Sequence, residues 1–244
     1  MLMTFNQTGN ALEKSCKSRN GMIMVLDELG SYGGDDFGEL IYKISMGVSK
    51  EKLFSNSDSQ ETYEWQFVYF TTGELTVAEM VKKSKKVSTI KAGQSTRLLN
   101  IDTEKTIIVS NGEKEARIIA EDLVKEAGQF YGTAGPAFVE GLINELNSEN
   151  YTKEMLCDAW SDLAKQLSKS NLESHQNRAI RNLALIALAG IIASDLKVLP
   201  YSQDRIIHAV EVIRDMFLDS EASLSDDARA AHNLRDYIQD NLNR

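Results

Sequence analysis

Residues 22–28 read MIMVLDE: five apolar side chains in succession, closed by Asp27 and Glu28. The run is too short for a packed helix, carries β-branched Ile23 and Val25, and is bounded by polar and turn residues, so it reads as a strand. Unbroken apolarity, in place of alternation, suits a strand of a parallel sheet covered on both faces. Asp27 and Glu28 then fall at its C-terminal end, the edge where open α/β sheets form their ligand crevice.

Outward from this strand the pattern continues. Short apolar runs at 2–5, 65–71 and 97–101 predict further strands, and amphipathic stretches at 9–17, 36–46 and 76–84 predict helices between them. Asp36 with Glu39, and Thr76 with Glu79, have capping-box spacing. Strand and helix in alternation predict an α/β fold with a parallel sheet. After Glu113 the periodicity is helical throughout, with helices expected at 113–131, 136–146, 153–168, 177–196, 202–217 and 225–242. The expected division is therefore 1–110, an α/β core, and 111–244, an all-helical lid and C-terminal region. Residues 182–192 are apolar nearly all round, which predicts a central, enclosed helix.

Composition bounds the function classes. With 42% hydrophobic and 26% charged residues and two prolines in 244, the chain is expected to be globular and helix-rich. Cys16 and Cys157 have no partner at metal-ligand or disulfide-framework spacing and are expected as two buried thiols. His175, His208 and His232 show no metal-binding spacing either. Residues 183–193 form the longest apolar run, well short of the roughly 20 that span a bilayer, and 1–10 lack the pattern of a secretory leader. No membrane partner and a cytoplasmic location are expected. A net charge of −9 opposes nucleic acid over the whole surface. Lys82, Lys83, Lys85, Lys86 and Lys91 form the one dense basic cluster, which reads either as a solvated face or as a grip on single-stranded DNA.

An apolar strand ending in Asp and Glu is the pattern with which P-loop ATPases hold Mg²⁺ and polarise the attacking water. Asp27 fits the metal role and Glu28 the water role. FVYFTTGE, residues 67–74, is a second strand ending in hydroxyls, where this fold places a polar residue that senses the γ-phosphate; Thr72 or Thr71 fits. The plainer reading is that the threonines end a strand and cap a helix. Arg97, at the start of the 97–101 run, stands where ring ATPases of the AAA+ type place an arginine directed at a neighbour's nucleotide, or else is a surface arginine at a strand edge. The phosphate loop itself is not found. TGNALEKS, residues 8–15, ends in Lys-Ser but has Thr8 and Glu13 where GxxxxGKS/T needs glycine, and Lys14 is too near Asp27 for a βαβ connection. It is expected as ordinary helix.

The stretches TGNALEKSCKSRNGMIMVLDELG (8–30), FTTGELTVAEM (70–80), AGQSTRLLNI (92–101) and FYGTAGPAFVEGL (130–142) appear in the order seen in one family. Over residues 3–216 the chain resembles the helicase-like domain-of-unknown-function 927 family of mobile-element primase-helicases, which is similar to AAA+ replicative helicases. The resemblance implies ATP and Mg²⁺ as cofactors, a helical lid in which Arg178 or Arg181 reaches the nucleotide, and an oligomeric assembly. Family members carry their phosphate loop upstream of the segment with which this chain begins, and have an arginine where 47–53 offers Lys50 and Lys52. Two functions follow as expectations. One is the incomplete ATPase core of a mobile-element helicase, inactive alone for want of a phosphate loop and dependent on self-association or a complementing ATPase segment. The other is a non-enzymatic interaction or inhibitor protein that keeps the ATPase surface to dock on a partner.

Overall fold

The computed structural model describes residues 3–49, 62–83, 97–102, 113–220 and 223–242. The chain divides into two compact units, Met1–Asn100 with Glu221–Arg244, and Ile101–Ser220.

The first unit is α/β. In chain order it comprises β1 (Met3–Thr4), α1 (Gly9–Ser18), β2 (Ile23–Asp27), a 3-10 turn (Leu29–Ser31), α2 (Phe37–Met46), β3 (Val68–Thr71) and α3 (Val77–Lys83). The strands pair in parallel in the order β1-β2-β3, with Leu26 beside Thr71 and Thr4 beside Asp27. Each helix starts where a side chain satisfies its free N–H groups. Thr8 accepts from the Ala11 amide at 3.3 Å, and Asp36 from the Glu39 amide at 2.8 Å. At α3, Thr76 and Glu79 bond reciprocally, the Thr76 amide donating to Glu79 Oε2 at 2.8 Å and the Glu79 amide to Thr76 Oγ1 at 3.3 Å. Gly47 ends α2 at φ 75°, where an added Cβ would lie 2.8 Å from the Trp65 carbonyl, so both conformation and space demand glycine. Trp65 is buried and donates to the Ile44 carbonyl at 2.8 Å, joining the approach to β3 to the end of α2.

Among the described residues the sheet is covered on one face, which corrects the expectation of strands buried on both. Met24 and Leu26 join one apolar cluster with Leu12 and Cys16 of α1, Phe37, Ile41 and Ile44 of α2, and Val77, Met80 and Val81 of α3. On the opposite face Ile23, Val68 and Phe70 are 61%, 50% and 55% exposed. The cause is topological. Crossovers between parallel strands are right-handed, so three strands laid down in one direction send their connecting helices to the same side. A second correction concerns 97–101, which forms no strand: Leu98 is buried, and the Arg97 carbonyl accepts a hydrogen bond from the Tyr69 hydroxyl at 3.2 Å, so a side chain and not a ladder holds the segment.

The second unit is helical: α4 (Glu113–Gln129), α5 (Ala134–Asn147), α6 (Lys153–Leu167), α7 (Ser174–Asp195) and α8 (Gln203–Leu218). A ninth described helix, α9 (Asp226–Leu242), belongs with the first unit. α7 packs against α6 and α8 and buries Ala179, Ile180, Leu183, Ala184, Ala187, Leu188, Ile192 and Ala193. That spacing makes one stripe down a helix. Leu185 and Ile186, on the other side, are 51% and 49% exposed, so the helix is half-covered and not enclosed as its composition suggested. At Gly190 α8 packs close, since an added Cβ would meet Ile206 Cγ2 at 2.8 Å. Cys16 is buried, which pushes its thiol up to about 12, whereas Cys157 is exposed, contrary to the expected pair of buried thiols.

Arg214 fastens this unit. Its nearly buried guanidinium donates to the Leu167 carbonyl at the end of α6 at 3.3 Å and to both oxygens of Asp215 at 2.7 and 3.0 Å, while Lys169 pairs with Asp215 at 2.7 Å. The Arg214 and Lys169 bonds hold the Asp215 carboxyl down at about 2, from 3.8. A depressed carboxylate stabilises the fold above its unfolded value and loses that contribution as pH falls through its folded value. Arg214→Ala is therefore expected to cost about 1–3 kcal/mol near neutral pH, and to lose less stability than wild type on acidification from pH 3.8 towards 2. Denaturant unfolding across that range checks both.

Candidate functional site

The register that sets Leu26 beside Thr71 brings the next residues, Asp27 and Thr72, together at the C-terminal ends of β2 and β3. Thr72 Oγ1 donates to Asp27 Oδ1 and accepts from the Glu28 amide at 3.1 Å. Backbone bonds extend the junction: the Leu29 amide donates to the Thr72 carbonyl at 2.7 Å, and the Thr72 amide to the Leu26 carbonyl at 3.3 Å. Asp27 is half-buried and Glu28 exposed.

Glu28 turns the chain out of the strand in the left-handed region, at φ 57° and ψ 80°. A non-glycine residue there carries a strain of about 1–3 kcal/mol, and such strain collects at functional sites. The surroundings hold it in place. The Glu28 carbonyl accepts from the Ser31 amide at 3.0 Å and from the Ser31 hydroxyl at 2.7 Å, and Leu29 is buried beneath the turn. Gly73 is what lets β3 approach that turn, because a Cβ there would lie 2.7 Å from Leu29 Cβ. Gly30 leaves room for the Glu28 carboxylate, whose Oε1 is 2.9 Å from where its Cβ would stand.

With Oδ1 taken by Thr72, Asp27 Oδ2 has no hydrogen-bond partner among the described residues. One hard oxygen at a solvent-facing sheet edge fits Mg²⁺, which keeps most of its water shell and takes one or two carboxylates. No group of three or more His, Cys, Asp or Glu that would cage a metal occurs among the described residues, and a Mg²⁺ site of this kind does not require one.

The other expected site residues stand on other segments of the chain. Arg97 stacks its guanidinium over the Tyr42 ring of α2 at 4.6 Å, and its Nη1 is buried without a hydrogen-bond partner among the described residues. No described hydrogen bond or ion pair joins it to Asp27, Glu28 or Thr72. Arg178 and Arg181 are exposed on α7 in the second unit; Arg181 stacks over Trp160 at 4.4 Å, and Trp160 Nε1 donates to the Arg181 carbonyl at 2.8 Å. Lys82 and Lys83 are exposed in the last turn of α3, while Lys50, Lys52, Lys85, Lys86 and Lys91 lie outside the described residues. Lys14 sits within α1, so 8–15 is cap and helix, as expected. Gly73 and Ser31 escaped the sequence reading. A glycine directly after the paired threonines was the available signal for Gly73, whereas nothing in the local sequence marks the left-handed backbone of Glu28.

This geometry can be set beside known proteins. Residues 1–61 match the family model described as Domain of unknown function (DUF927). The family resemblance read from the sequence is borne out there, over the segment that holds β2 and its two carboxylates. The solved structure described as the SCCmec type IV Cch active helicase aligns with 98% of this chain at a TM-score of 0.69 and 19% identity. That similarity extends the fold, a parallel α/β sheet followed by helices, to almost the whole chain. This chain spans 40% of that protein's length. No curated protein matches. No described helix is long and apolar enough to cross a membrane.

Gly73→Ala is expected to force β3 away from Leu29 and to cost about 1–3 kcal/mol, the usual range for overpacking a close contact. Chemical denaturation, together with loss of chemical-shift dispersion for residues 26–29, checks it.

Proposed function

We propose that the chain carries the metal- and water-binding half of a helicase-type ATPase core of mobile-element origin. The observation that carries this reading is the junction of Asp27, Glu28 and Thr72 at the C-terminal edge of parallel strands, inside the segment that matches the family model. In this reading Asp27 would hold Mg²⁺, and Glu28 would accept a proton from the attacking water. The Mg²⁺, when bound, neutralises charge on the phosphates during transfer. ATP is the nucleotide that the family resemblance implies. The 244 residues contain no GxxxxGKS/T segment, so hydrolysis calls for one supplied by adjoining chain or by a partner. Arg97, Arg178 and Arg181 are kept as candidate groups for the nucleotide of a neighbouring or the same subunit, which makes assembly part of the proposal.

The chain alone is expected to show little ATPase activity, and addition of a phosphate-loop segment of the same family to restore it. Asp27→Asn and Glu28→Gln should each then lower the rate by about 10²-fold or more. A stable complex that hydrolyses no ATP would count against the reading. That outcome would favour a second one, a docking protein without catalysis, which draws on the exposed apolar sheet face of Ile23, Val68 and Phe70.

Lys82 and Lys83 support single-stranded DNA as a partner, with Lys85 and Lys86 adding charge in sequence. Binding through phosphates alone is salt-dependent, with a slope of about −0.7 per phosphate contact on single strands. Double replacement Lys82→Glu with Lys83→Glu is expected to reduce the slope by about one to two and to weaken binding of all sequences alike, as fluorescence anisotropy on an unstructured oligonucleotide would show.

A further inference from the structure

We propose that Thr72 is a positioning residue that locks the two carboxylates of this site, and that it does not contact the phosphate. The proposal rests on the ATPase reading but assigns Thr72 a different task from the phosphate sensor expected of its place in the sequence.

A threonine hydroxyl has one proton to donate and two lone pairs. In this structure the proton goes to Asp27 Oδ1, and one lone pair accepts the Glu28 amide at 3.1 Å. What remains is a lone pair, which repels a phosphate oxygen. To donate to a phosphate, Thr72 would have to release Asp27 and leave its carboxylate unoriented. Thr72 is also bound through its backbone at both ends, its amide to the Leu26 carbonyl at 3.3 Å and its carbonyl to the Leu29 amide at 2.7 Å. One residue thus makes four hydrogen bonds to four consecutive positions, 26 to 29.

Two consequences follow for the site. With Oδ1 committed, the Asp27 side chain is held in one orientation, and Oδ2 is the oxygen left for a metal-bound water. The bond from the Glu28 amide to the hydroxyl holds Glu28 in its left-handed backbone, at φ 57°, and so fixes where its side chain departs. Thr72 acts on metal and water through its neighbours, as the outer partners of metal ligands do.

The test uses the full chain with Thr72→Ser, which keeps the hydroxyl, and Thr72→Val, which keeps the shape and loses it. Exchange of the Glu28 amide with solvent, followed by NMR, is expected to be near wild type in the serine variant and about tenfold faster in the valine variant, as loss of a protecting bond predicts. Mn²⁺, titrated as the probe and followed by paramagnetic broadening at residues 26–29, should bind the valine variant about 10- to 100-fold more weakly, with the melting temperature little changed. A purely structural threonine would not produce that combination. Unchanged exchange and unchanged Mn²⁺ affinity in Thr72→Val would overturn the proposal. So would retained Mn²⁺ affinity with loss of hydrolysis alone in the complemented enzyme, since that marks a phosphate contact. If the valine variant does not fold, the Thr72 hydroxyl proton of the wild type decides: slow exchange, lost in Asp27→Asn, supports the lock, and exchange as fast as a free threonine overturns it. Failure of the ATPase reading is seen separately, as a wild type with a protected Glu28 amide that binds no Mn²⁺.

Discussion

Parallel pairing of β2 with β3, residue for residue from Ile23 beside Val68 to Leu26 beside Thr71, is the constraint from which both the core and the site of the first unit follow. The side-chain period of a strand is two, so this register puts Met24 and Leu26 on the helix-covered face and leaves Ile23, Val68 and Phe70 on the other. The same register ends both strands at one level. Asp27 and Thr72 meet for that reason, and the bonds of Thr72 then hold the strained turn at Glu28. A slip of one residue would turn the core side chains to solvent and separate the carboxylate from the hydroxyl together.

The order of the strands imposes a second limit. Because β1, β2 and β3 are laid side by side in sequence order, α1, α2 and α3 share one face, and nothing in that winding places a helix on the other. Doubly covered sheets of this class need connections running in both directions from a central strand. The chain spans 40% of the length of the solved helicase structure whose fold it shares.

The helical unit depends on different forces. Its centre is the small-residue and leucine stripe of α7 between α6 and α8, with Gly190 permitting close approach to Ile206. Arg214 adds a polar fastener at the end of α6, where unpaired helix carbonyls would otherwise face the interior. Arg181 makes a comparable link, its guanidinium over Trp160 and its carbonyl bonded to the indole.

Much of this was legible in the sequence, and for local reasons. Apolar runs located β2 and β3, capping residues Thr76 and Asp36 located helix starts, and 3.6-residue periodicity located the helices from Glu113 onward, because each depends on neighbours within a turn or two of chain. Asp27, Glu28 and Thr72 could be singled out because strand ends are visible as changes of polarity. Composition failed where burial depends on what lies across the fold. The runs at 22–26 and 67–70 and the apolar stretch 182–192 looked enclosed, yet Ile23, Phe70 and Leu185 are exposed, since the winding direction and the number of packed neighbours decide which face is covered. The bonds of Thr72 to Asp27 and to the Glu28 amide and the closeness of Gly73 to Leu29 join residues more than 40 positions apart. The sequence by itself determined which side chains stand at the ends of the strands. Only the tertiary structure decided that they touch, because parallel pairing across a helical crossover is a long-range contact that no local pattern encodes.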